Sequence, residues 1–348
     1  MFPVLPLDII ALIIDTVEET KDTNLLKELA LVSHSFLQLC SKHLFATVEL
    51  HNAFPSHHLA SSKKGFAKLL KSRPDVVKHI RKLTYILSHN INDDRLLLPI
   101  LLNFLPTYSR LNCLTIISDH LQNWNILDSS LVSTFLRLMH LPTVNHIDLS
   151  YIKNFPLSSL TPSVNLHRLD IYSMWLEEVG GSPEIELEMM PKIREFHTSE
   201  SSLFTTKLLH AKRQDGQPAF NFADLRQLST SLEDEQNIRY LLQNAKSLEK
   251  LHLSVGRFRD LVGLHDIILP SARTLKVFDL TLSIYSVPSP AGLCEELEAM
   301  AGHNMLEALS FEFQVNGHET EGFIGRMIQK VWGVLLKPGW SALKTGFL

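Results

Sequence analysis

A six-residue pattern that recurs along most of the chain sets the strongest limit on its fold. The pattern, apolar-x-x-apolar-x-apolar, begins at nine positions: Ile80, Leu111, Val144, Leu166, Ile193, Leu225, Leu248, Leu275 and Leu306. Successive copies start between 22 and 33 residues apart, and residues 343–348 form a tenth, incomplete copy. Apolar residues two apart predict a short strand with one buried face, and the spacing leaves room for a helix or turn before the next strand. The pattern therefore predicts a repeat array.

The segments between the copies predict how each strand returns to the next. Helices are predicted over residues 95–105, 130–139, 233–245 and 293–301, and loops over residues 180–184 and 212–218. A repeated strand and helix give parallel strands side by side with the helices outside. The L-x-x-L-x-L core resembles that of leucine-rich repeats, although the regularly placed Asn or Cys of that family is missing. We therefore expect an α/β fold with an irregular, leucine-rich-repeat-like solenoid, strands inside and helices outside.

The first 50 residues show a helical pattern instead. Pro6 fits a first helical turn, and Asp8 places a negative charge near the positive end of the helix dipole. An apolar stripe with helical spacing follows: Ile9, Ile10, Ile13, Ile14 and Val17. A second stripe comes after it: Leu25, Leu29, Val32, Phe36 and Leu39. Asp22 or Thr23 is a candidate cap for a second helix, and Ser33 for a third, so three short helices are predicted.

The order of residues in this segment resembles an F-box, by which substrate receptors bind the Skp adaptor of cullin-RING (SCF) ubiquitin ligases. The resemblance rests on these residues: Leu5-Pro6, Ile9, Ile13, Ile14, Leu29, Val32, Ser33, Phe36 and Leu44-Phe45. Many family members carry a Trp near the place where this chain reads Phe36-Leu37-Gln38. In that family the first helix and the Leu-Pro edge contact the adaptor. The resemblance therefore implies an adaptor-binding surface of four residues: Leu5, Pro6, Ile9 and Ile13.

Three parts of the chain follow from the helical segment and the repeats. Residues 1–50 form an F-box-like helical domain, residues 51–79 a linker helix region, and residues 80–348 the solenoid. The implied partners are a Skp-type adaptor with its cullin ligase core, and a target protein that the sequence does not name. The alternative is that residues 1–50 are simply a helical cap on the solenoid.

Alternation along each strand predicts which side chains face the concave surface, because residues two apart share a face. Candidate partner-binding residues are taken from the third and fifth pattern positions, and Tyr172, two residues beyond Asp170, is added to them. They are His146, Asp148, Arg168, Asp170, Tyr172, Glu195, His197, Lys250 and His252. Their mixed charges favour a protein or peptide partner. Asp148, Asp170 and His197 are also types that bind metal ions, but a solvated polar face is the interpretation preferred.

The formal net charge of −4 conceals a basic segment. Residues 63–83 contain eight basic side chains and one acidic one. Phe66, Leu69 and Leu70 in this segment predict the buried stripe of a helix, and no aromatic residues are placed to stack on bases. A solvated helix face is therefore favoured over nucleic-acid binding.

The sequence favours binding over catalysis. None of the motifs for a nucleophile elbow, a phosphate-binding loop or a catalytic zinc site occurs, so no cofactor or metal is expected, and a hydrolase based on one of the many Ser and His residues lacks a motif. Three scattered cysteines and the absence of a long apolar run predict a cytoplasmic or nuclear protein without a membrane span. We expect a non-enzymatic substrate-recognition subunit of an SCF-type ligase, or alternatively a leucine-rich-repeat scaffold without ligase association.

Overall fold

The computed structural model describes residues 6–51, 61–87, 97–103, 110–177, 190–255, 263–284, 292–302, 305–315 and 321–347. It confirms the α/β class, because parallel strands alternate with helices. No helix in these ranges is long and apolar enough to cross a membrane. The chain divides into two compact units, Met1–Asn165 and Leu166–Leu348.

The first unit begins with helices and continues into parallel strands. Its main helices are α1 (Leu7–Glu19), α2 (Thr23–Ala30), α3 (His34–Leu44), α4 (Lys63–Ser72) and α5 (Ser129–Met139), and residues 97–103 are helical as well. Its strands are β1 (Thr47–His51), β2 (Ser61–Ser62), β3 (Lys82–Leu87), β4 (Cys113–Asn123) and β5 (His146–Lys153). They lie in the order β2-β1-β3-β4-β5, and every neighbouring pair is parallel.

The second unit is a series of strands connected by helices or loops. Its strands are β6 (Arg168–Tyr172), β7 (Glu195–Ser199), β8 (Gln227–Ser231), β9 (Lys250–Val255), β10 (Val277–Ile284), β11 (Ala308–Val315) and β12 (Thr345–Phe347). Its helices are α6 (Ser202–His210), α7 (Glu235–Asn244), α8 (Leu264–Ile268), α9 (Leu293–Met300) and α10 (Glu321–Leu335). The strands are neighbours in chain order, and all of these pairs are parallel.

The recurring pattern coincides with the strands in both units. Each complete copy begins a strand at its third residue, as Lys250 does in the copy that starts at Leu248. Neighbouring strands pair at this same position, for example Gln227 with Lys250 and Lys250 with Val277. The pattern therefore predicts both the strands and their register.

The fourth and sixth pattern positions form the core. Leu251 and Leu253 of β9 are fully buried, as are Phe278 and Leu280 of β10. Each such side chain contributes roughly 2 kcal/mol through removal of apolar surface from water. The third and fifth residues point to the opposite face of the pleated strand, where His252 is half-buried.

The sheet begins earlier than Ile80, where the sequence prediction placed it. Phe45-Ala-Thr-Val-Glu-Leu50 is another copy of the pattern, and its strand β1 pairs in parallel with β3, Thr47 opposite Lys82. Of residues 51–79, predicted as a linker, His51 belongs to β1, Ser61–Ser62 form β2 and Lys63–Ser72 form α4. The copy was missed because it directly follows the last residues of α3, which belong to the helical pattern.

Most of the helices and loops predicted between the strands are confirmed where the structure describes them. The helices predicted over 130–139, 233–245 and 293–301 correspond to α5, to α7 with the short helix before it, and to α9. Residues 97–103 of the predicted helix 95–105 are helical, and residues 212–218 form a turn closed by a bridge between Lys212 and Pro218. The loop predicted over 180–184 lies outside the described residues. Helices α6, α8 and α10 were not predicted.

Candidate binding surfaces

The three N-terminal helices pack on a small core. Its buried members are Ile10, Ile14, Leu26, Ala30 and Cys40. The helix starts predicted at Asp22 and Ser33 are confirmed. The Asp22 carboxylate accepts from the backbone N–H groups of Asn24 and Leu25 at 3.1 and 3.0 Å, and the Ser33 hydroxyl accepts from Phe36 N–H at 3.3 Å. Pro6 is the residue before α1 rather than part of its first turn.

An apolar surface remains exposed on this helical unit. Ile10 and Ile14 point into the core, whereas Ile9, Leu12 and Ile13 lie together on the neighbouring face of α1 and are 44–63% exposed. Pro6 is exposed as well, and Leu5 lies outside the described residues. Three of the four predicted adaptor-binding residues therefore lie on or beside an exposed helix face.

The second stripe does not coincide with the buried side of α2. Leu25 and Val32 are 38% and 65% exposed, and Leu26 and Ala30 take the buried positions of α2. The helix ends at Ala30, so residues on its two sides do not share one continuous helical period. Leu31 and Val32, in the turn before α3, add to the exposed apolar surface.

A charged contact holds α1 against α3 beside this surface. Asp15 Oδ1 lies 2.7 Å from Lys42 Nζ and 2.8 Å from His43 Nε2. The hydrogen bond from Lys42, with a further one from His43, lowers the pKa of the Asp15 carboxyl below its ordinary value. The contact fixes how the exposed face of α1 is presented relative to α3.

The predicted partner-binding residues lie on the polar face of the strands. In the first unit His146 and Asp148 are half-buried on β5. The Asp148 carboxylate accepts from the Thr115 hydroxyl of β4 at 3.4 Å and from the Ser150 hydroxyl at 3.3 Å. Asp148 is thus held by its own strand and the neighbouring one.

In the second unit, charged side chains on β6 and β7 pair with one another. The Arg168 guanidinium donates to both carboxylate oxygens of Asp170, at 2.9–3.1 Å, and to Glu195 Oε2 at 3.3 Å. His197 is the register neighbour of Asp170, and Tyr172 is 37% exposed at the end of β6. Much of the charge predicted for partner recognition is therefore compensated within the face itself.

The residues predicted on β9 are paired too. Lys250 Nζ lies 3.2 Å from Asp279 Oδ2 on β10. His252 Nδ1 lies 3.0 Å from Ser229 Oγ, and its Nε2 lies 3.0 Å from Thr281 Oγ1. Thr281 in turn donates to Glu312 Oε2 at 3.2 Å. The chain of hydrogen bonds links β8, β9, β10 and β11.

These hydrogen bonds favour one tautomer of neutral His252. Because the Thr281 proton is directed to Glu312, the Thr281 oxygen accepts from Nε2–H, and in the neutral imidazole Nδ1 then accepts from the Ser229 hydroxyl. The Ser229–His252 pair could serve a serine hydrolase only beside free backbone N–H groups that donate to the oxyanion. Strand β8 pairs with both β7 and β9, so the backbone groups beside Ser229 already form hydrogen bonds within the sheet. We interpret the network as fixing the strand face.

A groove of about 490 Å³ lies at the carboxyl ends of β6, β7 and β8. Trp175 and Leu203 line it and are 58% and 41% exposed. Glu200, Glu233 and Asp234 line it as well, with no Lys, Arg or His among the lining residues that the structure describes. The groove therefore combines apolar surface with carboxylates that form no ion pair with another described residue.

One wall of the groove has an unusual backbone. Ser173 and Glu200, each just after the end of a strand, have φ of +48° and +51°. The Ser173 hydroxyl donates to Glu200 Oε2 at 2.5 Å, and the Ser201 hydroxyl accepts from Met174 N–H at 2.9 Å. Hydrogen bonds between the two strand ends thus hold a conformation that L-residues adopt at a cost.

Sequence reasoning did not find this groove. Its residues follow the strands, whereas the pattern positions used to choose candidate residues lie within them. The signal available was topological, since ligands of parallel sheets bind outside the carboxyl ends of the strands.

No group of three or more His, Cys, Asp or Glu residues in the described ranges is arranged to hold a metal ion. No protein-family model and no curated protein matches this sequence. Function is therefore argued from the residues and their geometry.

Proposed function

We propose that this chain is a substrate-recognition subunit of an SCF-type ubiquitin ligase. Its N-terminal helices bind a Skp-type adaptor, and its repeat region binds a target protein. The observation that carries the proposal is the exposed apolar face of α1. Ile9, Leu12 and Ile13 are exposed and, three or four residues apart, share one face of α1, where a partner protein would remove them from water.

The resemblance of residues 5–45 to an F-box names the adaptor. Pro6, Ile9 and Ile13, which the resemblance assigns to the adaptor contact, are all exposed. The buried residues Ile10 and Ile14 hold α1 in place, so two sets of apolar residues on one helix serve two purposes. The chain would act by proximity, holding a target where the ligase transfers ubiquitin to it.

The repeat region fits the receptor part of this proposal. We infer a leucine-rich-repeat-like solenoid, in which, within each unit, every copy of the pattern supplies one parallel strand in register with its neighbour. The support lies in the strand pairs of each unit, which connect equivalent pattern positions. Side chains on the polar strand face and at the strand ends are then available to a target.

Co-purification of the full chain with the Skp adaptor tests the proposal. Replacing Ile9 and Ile13 with Asp places two charges in the contact, and we expect capture to fall at least tenfold, about 1.4 kcal/mol. Leu5→Ala with Pro6→Ala tests the edge named by the resemblance. The variant Ile126→Asp is the matched control, because Ile126 is 71% exposed elsewhere in the same unit.

Point variants are preferable to deletion of residues 1–50. The deletion would remove most of β1, which pairs with β3, so loss of binding would not separate contact from folding. Adaptor capture that is equal for the Ile9/Ile13 variant and the parent chain would refute this surface. If the parent chain is folded but does not bind the adaptor, the result would favour the alternative hypothesis, an interaction scaffold without ligase association.

A further inference from the structure

We propose that the groove at the carboxyl ends of β6, β7 and β8 docks a short basic segment of a partner protein, one that combines Lys or Arg with a large apolar side chain. The identity of that segment as part of a ligase target rests on the proposed function. The docking itself requires only the second unit.

The apolar part of the groove provides an anchor. Trp175 exposes more than half of its surface and Leu203 about two fifths, and both line the groove together with the half-buried Leu176. An exposed Trp beside aliphatic side chains is typical of binding hot spots, since it offers a large contact area with few rotatable bonds. A volume of about 490 Å³ suits one or two large side chains of a peptide.

The charge of the groove specifies the chemistry of the segment. Glu200, Glu233 and Asp234 contribute three carboxylates, and none of them forms a salt bridge with any residue in the described ranges. The polar strand face differs, because Arg168 and Lys250 there are paired with carboxylates. A cationic side chain entering the groove would therefore meet acceptors that no other cation of the described chain occupies.

Hydrogen bonds fix the Glu200 wall of the groove before any segment binds. The Glu200 carboxylate is held by the Ser173 hydroxyl, and Ser201 joins the Met174 backbone to the carbonyl oxygen of Ser199. The Asp234 carboxylate is likewise held by the Asn237 amide at 2.7 Å. Side chains that are already ordered lose less entropy on binding, so the groove favours one defined peptide geometry.

Fluorescence anisotropy of labelled synthetic peptides on the full-length chain tests the proposal. The probe is an alternating Leu-Lys peptide with one central Trp, and its charge-reversed counterpart has Glu in place of every Lys. We expect saturable binding of the Lys peptide that weakens as NaCl is raised, and at least tenfold weaker binding of the Glu peptide.

Variants assign the binding to the groove. Glu200→Gln with Glu233→Gln removes two charges, while the amide oxygen introduced by Glu200→Gln can still accept from Ser173, and we expect about tenfold weaker binding. Trp175→Ala should weaken binding about tenfold by loss of the anchor. The control Asp224→Asn with Glu295→Gln changes the net charge equally at exposed positions outside the groove, and it should retain binding.

Three results would overturn the proposal: equal binding of the Lys and Glu peptides, unchanged binding by the groove variants, or equal loss in the control. Circular dichroism and thermal unfolding of each variant identify misfolding, and the conservative Gln variant remains informative if Trp175→Ala misfolds. The peptide assay contains no adaptor. Loss of adaptor capture with intact peptide binding would therefore refute the proposed function alone, and the reverse result would refute only the docking proposal.

Discussion

Lys21 adopts a backbone conformation that its side chain makes costly. It follows the end of α1 with φ of +59°, and its N–H donates to the Glu18 carbonyl at 2.8 Å. Helices commonly end with Gly in this left-handed conformation, because a Cβ atom there is crowded.

We expect Lys21→Gly to raise the free energy of unfolding by up to about 1 kcal/mol, since it relieves this crowding. Urea denaturation of the full chain measures the change. Lys21→Ala keeps the Cβ atom and removes the charge, so it should bring no gain. A gain with Ala as large as that with Gly would show that charge rather than backbone conformation is responsible.

Asp15 makes the stability of the helical unit depend on pH. Its pKa is lowered in the folded chain, chiefly by the hydrogen bond from Lys42, so the folded state favours the ionised carboxyl. The stabilisation is therefore fully present above the ordinary pKa of 3.8 and is lost as the pH falls through the lower folded value. Because the Asp15 side chain is 47% exposed, its size is at most about 1 kcal/mol.

The variant Asp15→Asn isolates this contribution. We expect it to unfold more easily than the parent chain at pH 6, and the difference to shrink as the pH falls below 3.8 and through the lowered pKa of Asp15. Urea unfolding at a series of pH values, followed by helical circular dichroism, measures both chains. A difference that stays constant down to acid pH would mean that packing, not the ionised carboxylate, is lost.

Among the elements, α8 depends on a residue from the next repeat. Glu296 of α9 accepts from the N–H groups of Gly263 and His265 with its two oxygens, each at 2.7 Å. Only five residues long, α8 lacks a side-chain cap of its own. The carboxylate thus supplies the acceptors that the start of a helix requires.

We expect Glu296→Ala to lower the free energy of unfolding by about 2 kcal/mol, because two charge-assisted hydrogen bonds are lost. Glu296→Gln, which keeps one oxygen acceptor, should cost less. The neighbouring Glu295 is exposed and provides the control, with Glu295→Ala expected to be nearly neutral. Chemical denaturation ranks the three variants, and equal stability of Glu296→Ala and Glu295→Ala would contradict the capping role.

Elements were predictable from the sequence where apolar periodicity alone determines them. The strands of the repeats, their register and helices such as α5 follow from that periodicity. The phase of α2 was not predictable, because Leu25 and Leu29 are apolar as well as the buried Leu26 and Ala30, so the pattern does not single out one face of the helix. Strand β1 escaped detection because its copy of the pattern begins at Phe45, the residue directly after the end of α3.

At the scale of the whole molecule, the sequence predicted which types of side chain form the candidate binding surfaces better than it predicted where those surfaces lie. Pro6, Ile9 and Ile13 were named from a family resemblance, and all three are exposed. The polar strand residues were named from alternation, which cannot show that Arg168 and Lys250 would be neutralised by neighbours. The groove with Trp175 and Glu200 is formed by the segments that follow three separate strands, and no local sequence pattern shows that these segments meet.

The fixed register of the strands has a consequence for how such a chain can change over evolutionary time. Within each unit the copies of the pattern, including those at Phe45 and Leu343, start 23 to 37 residues apart, yet equivalent positions of neighbouring strands pair. Insertions and deletions in the returns are thus absorbed outside the ladder, without shifting any strand by a residue. Loops at the strand ends can diversify while the scaffold keeps its alignment, which makes this architecture well suited to acquiring new recognition specificities.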